Sequence, residues 1–237
     1  MSDIKLALVT GATRGIGYYT ALTLANKGYH IIAIGRTQGA LEELDDEIQK
    51  NGGSATLVPL DLTDFEAIDR MASSIAQRWG KLDALVGNAG ILGKLMPVGH
   101  MKPELFDEVI ATNLTANWRL LRAFDLLLKQ SEAGRAVFVT SSVARNPHAF
   151  WGAYAMSKAA LENMVQTYAR ESDASSVCAN IFDPGATATN MRSIAMPGED
   201  ETTLPSPKDV GSALAQLALP EANQNGQLYS YEQKAWV

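Results

Sequence analysis

The sequence predicts an α/β protein with a doubly wound parallel sheet of about seven strands and helices on both faces. Short β-branched runs alternate with amphipathic stretches along the chain, and no repeat or compositional break interrupts the alternation. Such alternation implies right-handed crossovers, which bring parallel strands side by side and cover both faces of the sheet with helices. The 237 residues, 46% hydrophobic and 19% charged, are typical of a single soluble domain spanning residues 1–237.

Hydrophobic periodicity places the individual elements. The strand candidates are residues 5–10, 30–34, 55–60, 84–87, 136–140, 177–182 and 227–231. The helix candidates are residues 15–27, 38–50, 64–79, 103–130, 153–171 and 207–217. Ligands of such sheets bind beyond the carboxyl ends of the strands, so polar residues that directly follow a strand are the first candidates for a site.

Charge and composition narrow the partners. The formal net charge is −6 with no basic cluster, so nucleic acids and anionic membranes are not expected to bind. Cys178 is the only cysteine, which excludes an internal disulfide and indicates a reducing compartment. Residues 1–10 lack a signal-peptide pattern and no stretch approaches the length of a membrane span, so we expect a cytoplasmic protein. No metal site is predicted.

A glycine-rich turn follows the first strand candidate and opens the first helix. It reads TGATRGIG over residues 10–17. Small residues there permit a tight turn and a close approach to a pyrophosphate, and the helix N-terminus favours negative charge. A purely structural turn is the alternative. We expect a dinucleotide to be bound by Gly11, Thr13, Arg14, Gly15, Ile16 and Gly17.

The end of the second strand indicates which dinucleotide is bound. A free ribose hydroxyl is usually met there by Asp or Glu, whereas a 2′-phosphate requires arginine. This chain has Arg36 at that corner and Arg14 in the glycine turn, which favours NADP(H) over NAD(H). The alternative for Arg36 is a solvated charge at a helix start.

Other strand candidates also end in small or polar residues. The Asp61 carboxylate of Asp61-Leu62 could accept from the adenine amino group, or Asp61 could cap the next helix together with Thr63 or Asp64. The run Asn88-Ala89-Gly90 suits a backbone that lies against a ribose. The turn after the sixth strand, which offers hydroxyls and backbone amides to a carboxamide, contributes Pro184, Gly185, Thr187 and Thr189.

Residues 140–158 read TSSVARNPHAFWGAYAMSK and carry the proposed chemistry. Tyr154 and Lys158 are four residues apart, which puts both on one face of a helix. A nearby ammonium favours the phenolate and so would lower the pKa of the phenol from about 10. Ser142 could offer a hydroxyl to the same substrate oxygen. A surface pair is the alternative for Tyr154 and Lys158.

These motifs, in this order, resemble those of the short-chain dehydrogenase/reductase family, and within it the YciK-type bacterial oxidoreductases. The motifs span residues 5–189 and read T-G-A-x-x-x-G-I-G, D-L, N-A-G, a helix asparagine, S-S-V, Y-x-x-x-K and P-G-x-x-x-T. The resemblance implies a Rossmann-type fold, a nicotinamide cofactor and a homodimer or homotetramer that assembles through the helices at 103–130 and 153–171.

The resemblance also implies a role for each matching residue. Tyr154 would be the general acid/base, and Lys158 would lower its pKa and hold the nicotinamide ribose. Ser142 would orient the substrate oxygen. Asn113 would hold a water in a proton relay, although satisfaction of a polar group in the core is the alternative. Thr189 would help to fix the carboxamide.

The sequence departs from the family pattern at two places. Ser142 precedes Tyr154 by twelve residues instead of the usual thirteen, and Ser141 would restore that count. We favour Ser142 because it directly precedes Val143, as the family serine commonly does. The chain also continues past the seventh strand through residues 232–237 in place of the usual D-G-G, which puts the family's oligomer contact in doubt.

The predicted function is reversible hydride transfer between NADP(H) and a carbonyl or secondary alcohol, with ketone or aldehyde reduction favoured. Residues 190–207 are too irregular for a core element and are expected to form a mobile substrate lid. An apolar substrate wall is predicted from Leu92, Phe150, Trp151, Met191, Ile194 and Met196. The alternatives are a non-catalytic NADP(H) sensor and a sugar-nucleotide epimerase or dehydratase, for which the chain has no substrate domain.

Overall fold

A computed structural model of the chain describes residues 4–237. The first three residues, on which part of the signal-peptide expectation rests, lie outside the described residues. The strands are β1 Lys5–Thr10, β2 Tyr29–Gly35, β3 Ser54–Pro59, β4 Ala84–Gly87, β5 Arg135–Val139, β6 Cys178–Asp183, β7 Leu228–Ser230 and β8 Ala235–Trp236. The α-helices are α1 Gly15–Asn26, α2 Gln38–Lys50, α3 Phe65–Trp79, α4 Pro103–Ile110, α5 Ala116–Lys129, α6 Gly152–Glu171, α7 Asn190–Ala195 and α8 Pro207–Leu217.

The eight strands form one sheet in the order β3-β2-β1-β4-β5-β6-β7-β8. Strands β1 to β7 pair in parallel, which confirms the predicted fold class. The chain winds outward from β1 to β3, then returns to place β4 on the other side of β1. This change of direction leaves a crevice at the carboxyl ends of the two central strands.

Helices cover both faces of the sheet, and the pleat divides the core between them. In β1, Leu8 packs in one hydrophobic cluster and Val9 in the other, since successive strand side chains point to opposite faces. Residues of α3, α5 and α6 fill the first cluster, and residues of α1, α2 and α8 fill the second. Within residues 4–237, no helix is both long enough and apolar enough to cross a membrane.

Three elements differ from the sequence-based predictions. The two-residue β8 pairs antiparallel with β7, placing Trp236 opposite Tyr229, and was not predicted. The helix predicted over residues 103–130 is interrupted between α4 and α5 by a π-helical turn, Ala111–Thr115. The segment expected to be irregular after residue 189 begins with α7, where the Thr189 hydroxyl caps the helix by accepting from the Arg192 N–H at 3.3 Å.

Candidate active site

A cleft of about 600 Å³ runs along the carboxyl ends of the central strands. The predicted site residues that line it are Gly11, Thr13, Arg14, Gly15, Ile16, Arg36, Asp61, Leu62, Asn88, Ala89, Gly90, Tyr154, Lys158, Pro184, Gly185, Thr187 and Thr189. Gly17, Asn113 and Ser142 do not line it. Within residues 4–237, no three His, Cys, Asp or Glu side chains are grouped to hold a metal ion.

The glycine turn depends on close backbone contacts. Gly11 and Gly15 adopt φ values of +64° and +59°, a left-handed conformation that other residues rarely adopt. Gly17 has a packing role instead, because a Cβ there would lie 2.3 Å from the Gly11 carbonyl oxygen. Glycine is therefore required at all three positions. Gly11 and Gly15 are required by their backbone conformation, and Gly17 is required because there is no space for a side chain.

Thr10 and Asn88 brace this turn from below. The Thr10 hydroxyl accepts hydrogen bonds from the backbone N–H groups of Asn88 and Ala89, both at 3.0 Å. The Asn88 amide donates to the carbonyl oxygens of Thr10 at 3.0 Å and Gly11 at 3.3 Å. Asn88 thus lines the cleft and also ties the end of β4 to the turn after β1. Thr10 makes the same connection through its hydroxyl, a role that the sequence did not predict.

The cleft has a cationic end. Arg14 and Arg36 are exposed and line it, and among residues 4–237 neither forms an ion pair. Asp61 lies nearby, and its carboxylate accepts from the Thr63 backbone N–H at 2.9 Å and the Thr63 hydroxyl at 2.8 Å. These hydrogen bonds lower the pKa of Asp61, and the charge of Arg36 adds to the effect. Asp64, not Asp61, caps α3, by accepting from the Ala67 N–H at 3.0 Å.

Tyr154 and Lys158 lie on one face of α6, as the spacing predicts. Lys158 Nζ lies 5.7 Å from the centroid of the tyrosine ring and donates to the Val139 carbonyl oxygen at 2.8 Å. Both residues are buried at the cleft, with exposed fractions of 8% and 3%, so the surface-pair alternative does not hold.

The pKa of the tyrosine differs from the sequence-based prediction. Burial raises the pKa of Tyr154 to about 12, where the spacing to Lys158 predicts a lowered value. A hydrogen bond with the Ser141 side chain opposes that rise, and the carboxylate of Asp183 adds to it. Burial also lowers the pKa of Lys158 to about 8, against the opposing charge of Glu162. The phenol is therefore neutral at pH 7.

The serine beside the tyrosine is Ser141, not the favoured Ser142. Ser141 lines the cleft and forms a hydrogen bond with the Tyr154 side chain. Ser142 is exposed, begins a short 3₁₀ turn, Ser142–Ala144, and does not line the cleft. The geometry therefore agrees with the thirteen-residue spacing.

Asn113 is held in the π-helical turn between α4 and α5. Its side-chain oxygen accepts from the Ile91 N–H at 2.8 Å, and its Nδ2 donates to the Ile91 carbonyl at 2.9 Å and the Ser157 hydroxyl at 3.1 Å. Its own carbonyl accepts from Asn117 Nδ2 at 2.7 Å. These contacts satisfy the buried amide and tie the chain after β4 to α6, as the core alternative predicts.

The turn after β6 is shaped by internal hydrogen bonds. The Thr187 hydroxyl donates to the Pro184 carbonyl at 3.2 Å, and the Thr189 hydroxyl donates to the Thr187 carbonyl at 3.3 Å. Gly185 adopts a φ of +63°, which directs this turn over the cleft.

The predicted apolar substrate wall is only partly at the cleft. Three of its residues line the cleft, Leu92, Trp151 and Met191. The other three, Phe150, Ile194 and Met196, are exposed on the surface.

A charged cluster behind the cleft was missed by the sequence analysis. Arg145 forms ion pairs with both Glu162 and Asp183. The carboxylates are largely buried, with exposed side-chain fractions of 12% and 7%, whereas the Arg145 side chain is 37% exposed. The sequence did show that Glu162 follows Lys158 by one helical turn, which indicates that the two side chains are close. The pairing of Glu162 with Arg145 corresponds to no local sequence pattern, so the sequence did not predict it.

The chain matches known proteins along most of its length. A family model described as short chain dehydrogenase matches residues 5–199. The chain belongs to this family. The uncharacterised oxidoreductase YciK of Escherichia coli is 36% identical over 209 residues, which cover 87% of this chain and 82% of YciK.

Two further relatives extend the family match. The 3-oxoacyl-[acyl-carrier-protein] reductase FabG of Vibrio harveyi is 31% identical over 226 residues, which cover 92% of this chain and 91% of FabG. A short chain dehydrogenase from Shigella flexneri, solved in complex with NADP, superposes with a TM-score of 0.91 at 34% identity, over 96% of this chain and 97% of the other. The predicted family and its YciK-type branch are thus confirmed, and the protein is an oxidoreductase.

Proposed function

We propose that the protein catalyses reversible hydride transfer between NADP(H) and a carbonyl or secondary alcohol, and that it acts chiefly as a ketone or aldehyde reductase. The observation that carries this proposal is the buried Tyr154 hydroxyl beside Ser141, in a cleft that extends from there to the glycine turn. One end of the cleft suits proton transfer, and the other suits a pyrophosphate.

The residues of the cleft fit an NADP(H) molecule. The glycine turn places backbone without side chains at the N-terminus of α1, where a phosphate is favoured. Arg14 and Arg36, which form no ion pair with other residues of the described range 4–237, offer guanidinium groups to a 2′-phosphate. The Shigella flexneri relative was solved with NADP, and a related Escherichia coli short chain dehydrogenase was solved with NADPH.

The chain supplies the proton chemistry, and the nicotinamide supplies the hydride when the cofactor is bound. Tyr154 donates its proton to the substrate oxygen as negative charge develops there. Ser141 donates a hydrogen bond to the same oxygen and stabilises that charge. Lys158 stabilises the phenolate that remains, because an ammonium beside it offsets the negative charge.

The substrate class follows from the wall around Tyr154. Leu92, Trp151 and Met191 give this end of the cleft an apolar lining, and the Trp151 ring lies edge-on to the tyrosine at 6.0 Å. A medium-sized apolar ketone, aldehyde or quinone therefore fits best. Residues 190–207 form the lid over this end, and Asn113 acts by holding the element that borders it.

The test is an NADPH oxidation screen with Tyr154→Phe. The panel contains apolar ketones, aldehydes, quinones and a 3-oxoacyl thioester, the last because several relatives are named 3-oxoacyl-[acyl-carrier-protein] reductases. Loss of the phenolic proton is expected to lower kcat by about 10²-fold or more and to leave the NADPH Kd within a few fold. The matched control is Tyr168→Phe on the same helix, whose hydroxyl donates to Asp125 at 2.8 Å. Near-normal turnover by Tyr154→Phe would refute the proposal.

A non-catalytic sensor is the alternative function. It would need the glycine turn but not Tyr154, Lys158 and Ser141, which the chain brings together at the cleft, so the enzyme is favoured.

The proposed assembly uses apolar residues exposed on two helices. Trp118 and Leu126 on α5 and Met156 on α6 have exposed fractions of 46%, 74% and 42%. This surface supports a homodimer or homotetramer that forms through these helices. Light scattering of the purified protein measures its oligomeric state, and a monomer would contradict the proposed homo-oligomer.

A further inference from the structure

Arg145 joins three elements that form the candidate active site. It lies just after β5, and its guanidinium pairs through one terminal nitrogen with Glu162 on α6 and through the other with Asp183 at the end of β6. We call Arg145, Glu162 and Asp183 the Arg145 cluster. Because an arginine presents its donors in a fixed planar fork, this arrangement sets the spacing of the two carboxylates as well as their charge.

Each carboxylate of the cluster also holds a neighbour of a proposed active-site residue. The Thr140 hydroxyl, adjacent to Ser141, donates to Glu162 Oε1 at 2.7 Å. The Gly185 N–H, in the turn that lines the cleft, donates to Asp183 Oδ1 at 3.1 Å. The serine loop, α6 and the turn after β6 are therefore connected through one guanidinium.

The cluster also determines the charge around Lys158. The groups that face Lys158 are Tyr154 and Glu162 of α6, and Glu162 is flanked in turn by Asp183 of β6 and Arg145 of the loop after β5. Glu162 is one helical turn from Lys158, and its charge opposes the loss of the lysine proton that burial favours. Two carboxylates and two cations balance when Lys158 is charged, whereas removal of Glu162 leaves both cations with one carboxylate.

We propose that Arg145 and Glu162 are positioning residues: Arg145 fixes the Glu162 carboxylate one helical turn from Lys158, where it serves as the counter-charge of that lysine, and the pair holds the Ser141 loop in register with the turn after β6. This inference rests on the proposed roles of Tyr154, Lys158 and Ser141. It assigns to the Arg145 cluster a role in the active site beyond stability.

The first experiment measures the protonation of Lys158 directly with Glu162→Gln. Glutamine keeps an oxygen to accept from Thr140 and Arg145 but removes the charge. The Lys158 side chain is titrated by NMR in protein labelled with ¹³C-lysine, with Lys158→Met for assignment, and the pKa is expected to fall by about one unit or more. A pKa within about 0.2 of the wild-type value would overturn the proposal.

The matched control is Glu171→Gln, at the exposed end of the same helix. Thirteen residues of helix place it roughly 20 Å from Lys158 along the helix axis, so the Lys158 pKa should not change. If the Lys158 pKa fell equally in Glu162→Gln and Glu171→Gln, the effect would come from the net charge of the protein rather than from Glu162, and the proposal would also be overturned.

The second experiment changes the connection itself and remains informative if Glu162→Gln does not fold. Arg145→Met removes the guanidinium, and Arg145→Lys restores a cation without the fork. With the best substrate of the carbonyl panel, Arg145→Met is expected to lower kcat by about tenfold with KM and NADPH Kd within twofold, and Arg145→Lys to recover part of that loss. Wild-type kcat in Arg145→Met, or a loss that appears only in KM, would overturn the proposal.

Failure of this inference is distinguishable from failure of the proposed function. If Tyr154→Phe retains turnover, the proposed function fails whatever the Arg145 cluster does. If Tyr154→Phe is inactive but the Lys158 titration is the same in Glu162→Gln and wild type, only the role of the Arg145 cluster fails.

Discussion

Replacement of Gly17 by alanine tests whether close backbone contact shapes the glycine turn. A Cβ at this position would lie 2.3 Å from the Gly11 carbonyl oxygen and 2.4 Å from Asn88 Nδ2. These atoms belong to the backbone of the turn and to the side chain that braces it, so the methyl group cannot be accommodated by one flexible side chain. The turn itself must move away from α1.

The size of the effect follows from the cost of overpacking. Inserting one methyl group into a tight site costs about 1–3 kcal/mol, and each kcal/mol lowers the Tm by about 2–4 °C in a domain of this size. Gly17→Ala should therefore melt roughly 2–12 °C lower than wild type. Its NADPH Kd should rise about tenfold or more, which corresponds to about 1.4 kcal/mol lost from the phosphate site.

Circular dichroism melting and titration of NADPH fluorescence measure the two effects. The matched control is Gly39→Ala in the first turn of α2, where a Cβ would meet nothing within 4 Å. Alanine is favoured over glycine in helices, so this control should melt at the wild-type temperature or slightly above it. If Gly17→Ala melts within about 1 °C of wild type and binds NADPH equally well, the steric argument for the turn is wrong.

Three further predictions concern individual side chains. Ser141→Ala should lower kcat by about 10²-fold and Ser142→Ala should leave it within twofold, and the opposite order in steady-state kinetics would contradict the geometry of the loop. Arg36→Gln should raise the Kd of NADPH about tenfold without changing that of NADH, whereas equal losses for both cofactors would exclude contact with the 2′-phosphate. Glu199→Gln removes the two-point ion pair with Arg192, so limited proteolysis within residues 190–207 should accelerate; an unchanged cleavage rate would show that this pair does not restrain the segment.

The sheet could be predicted because each central strand is a short apolar run that ends at a polar or glycine residue. The prediction failed where structure does not follow from periodicity. β8 contains two residues, too few to show alternation. The apolar period continues through residues 103–130, so it does not reveal the π-helical turn, although a buried Asn113 required either partners or an irregularity and has both.

The candidate site was predictable wherever a residue follows a strand, because parallel strands bring their carboxyl ends to one edge. The choice between two adjacent serines was not predictable by this rule. Ser141 is extended, with φ −158° and ψ 150°, and lines the cleft, whereas Ser142 begins a 3₁₀ turn and does not line it. The Arg145 cluster was missed for a related reason, since its members are 17 and 38 residues apart and meet only in the folded protein.

The protonation of Tyr154 favours one direction of the proposed reaction. Burial raises the pKa of the phenol to about 12, so at pH 7 it carries a proton that it can donate to a developing alkoxide. Oxidation of an alcohol requires the phenolate, which burial of the phenol disfavours. A hydrogen bond with Ser141 opposes that rise, and burial lowers the pKa of Lys158, whose ammonium would stabilise a phenolate, to about 8. Since raising the pH deprotonates Lys158 before it deprotonates Tyr154, alkaline conditions remove the cation that stabilises phenolate before they produce phenolate. We therefore expect carbonyl reduction to be the faster direction of the proposed reaction at neutral pH.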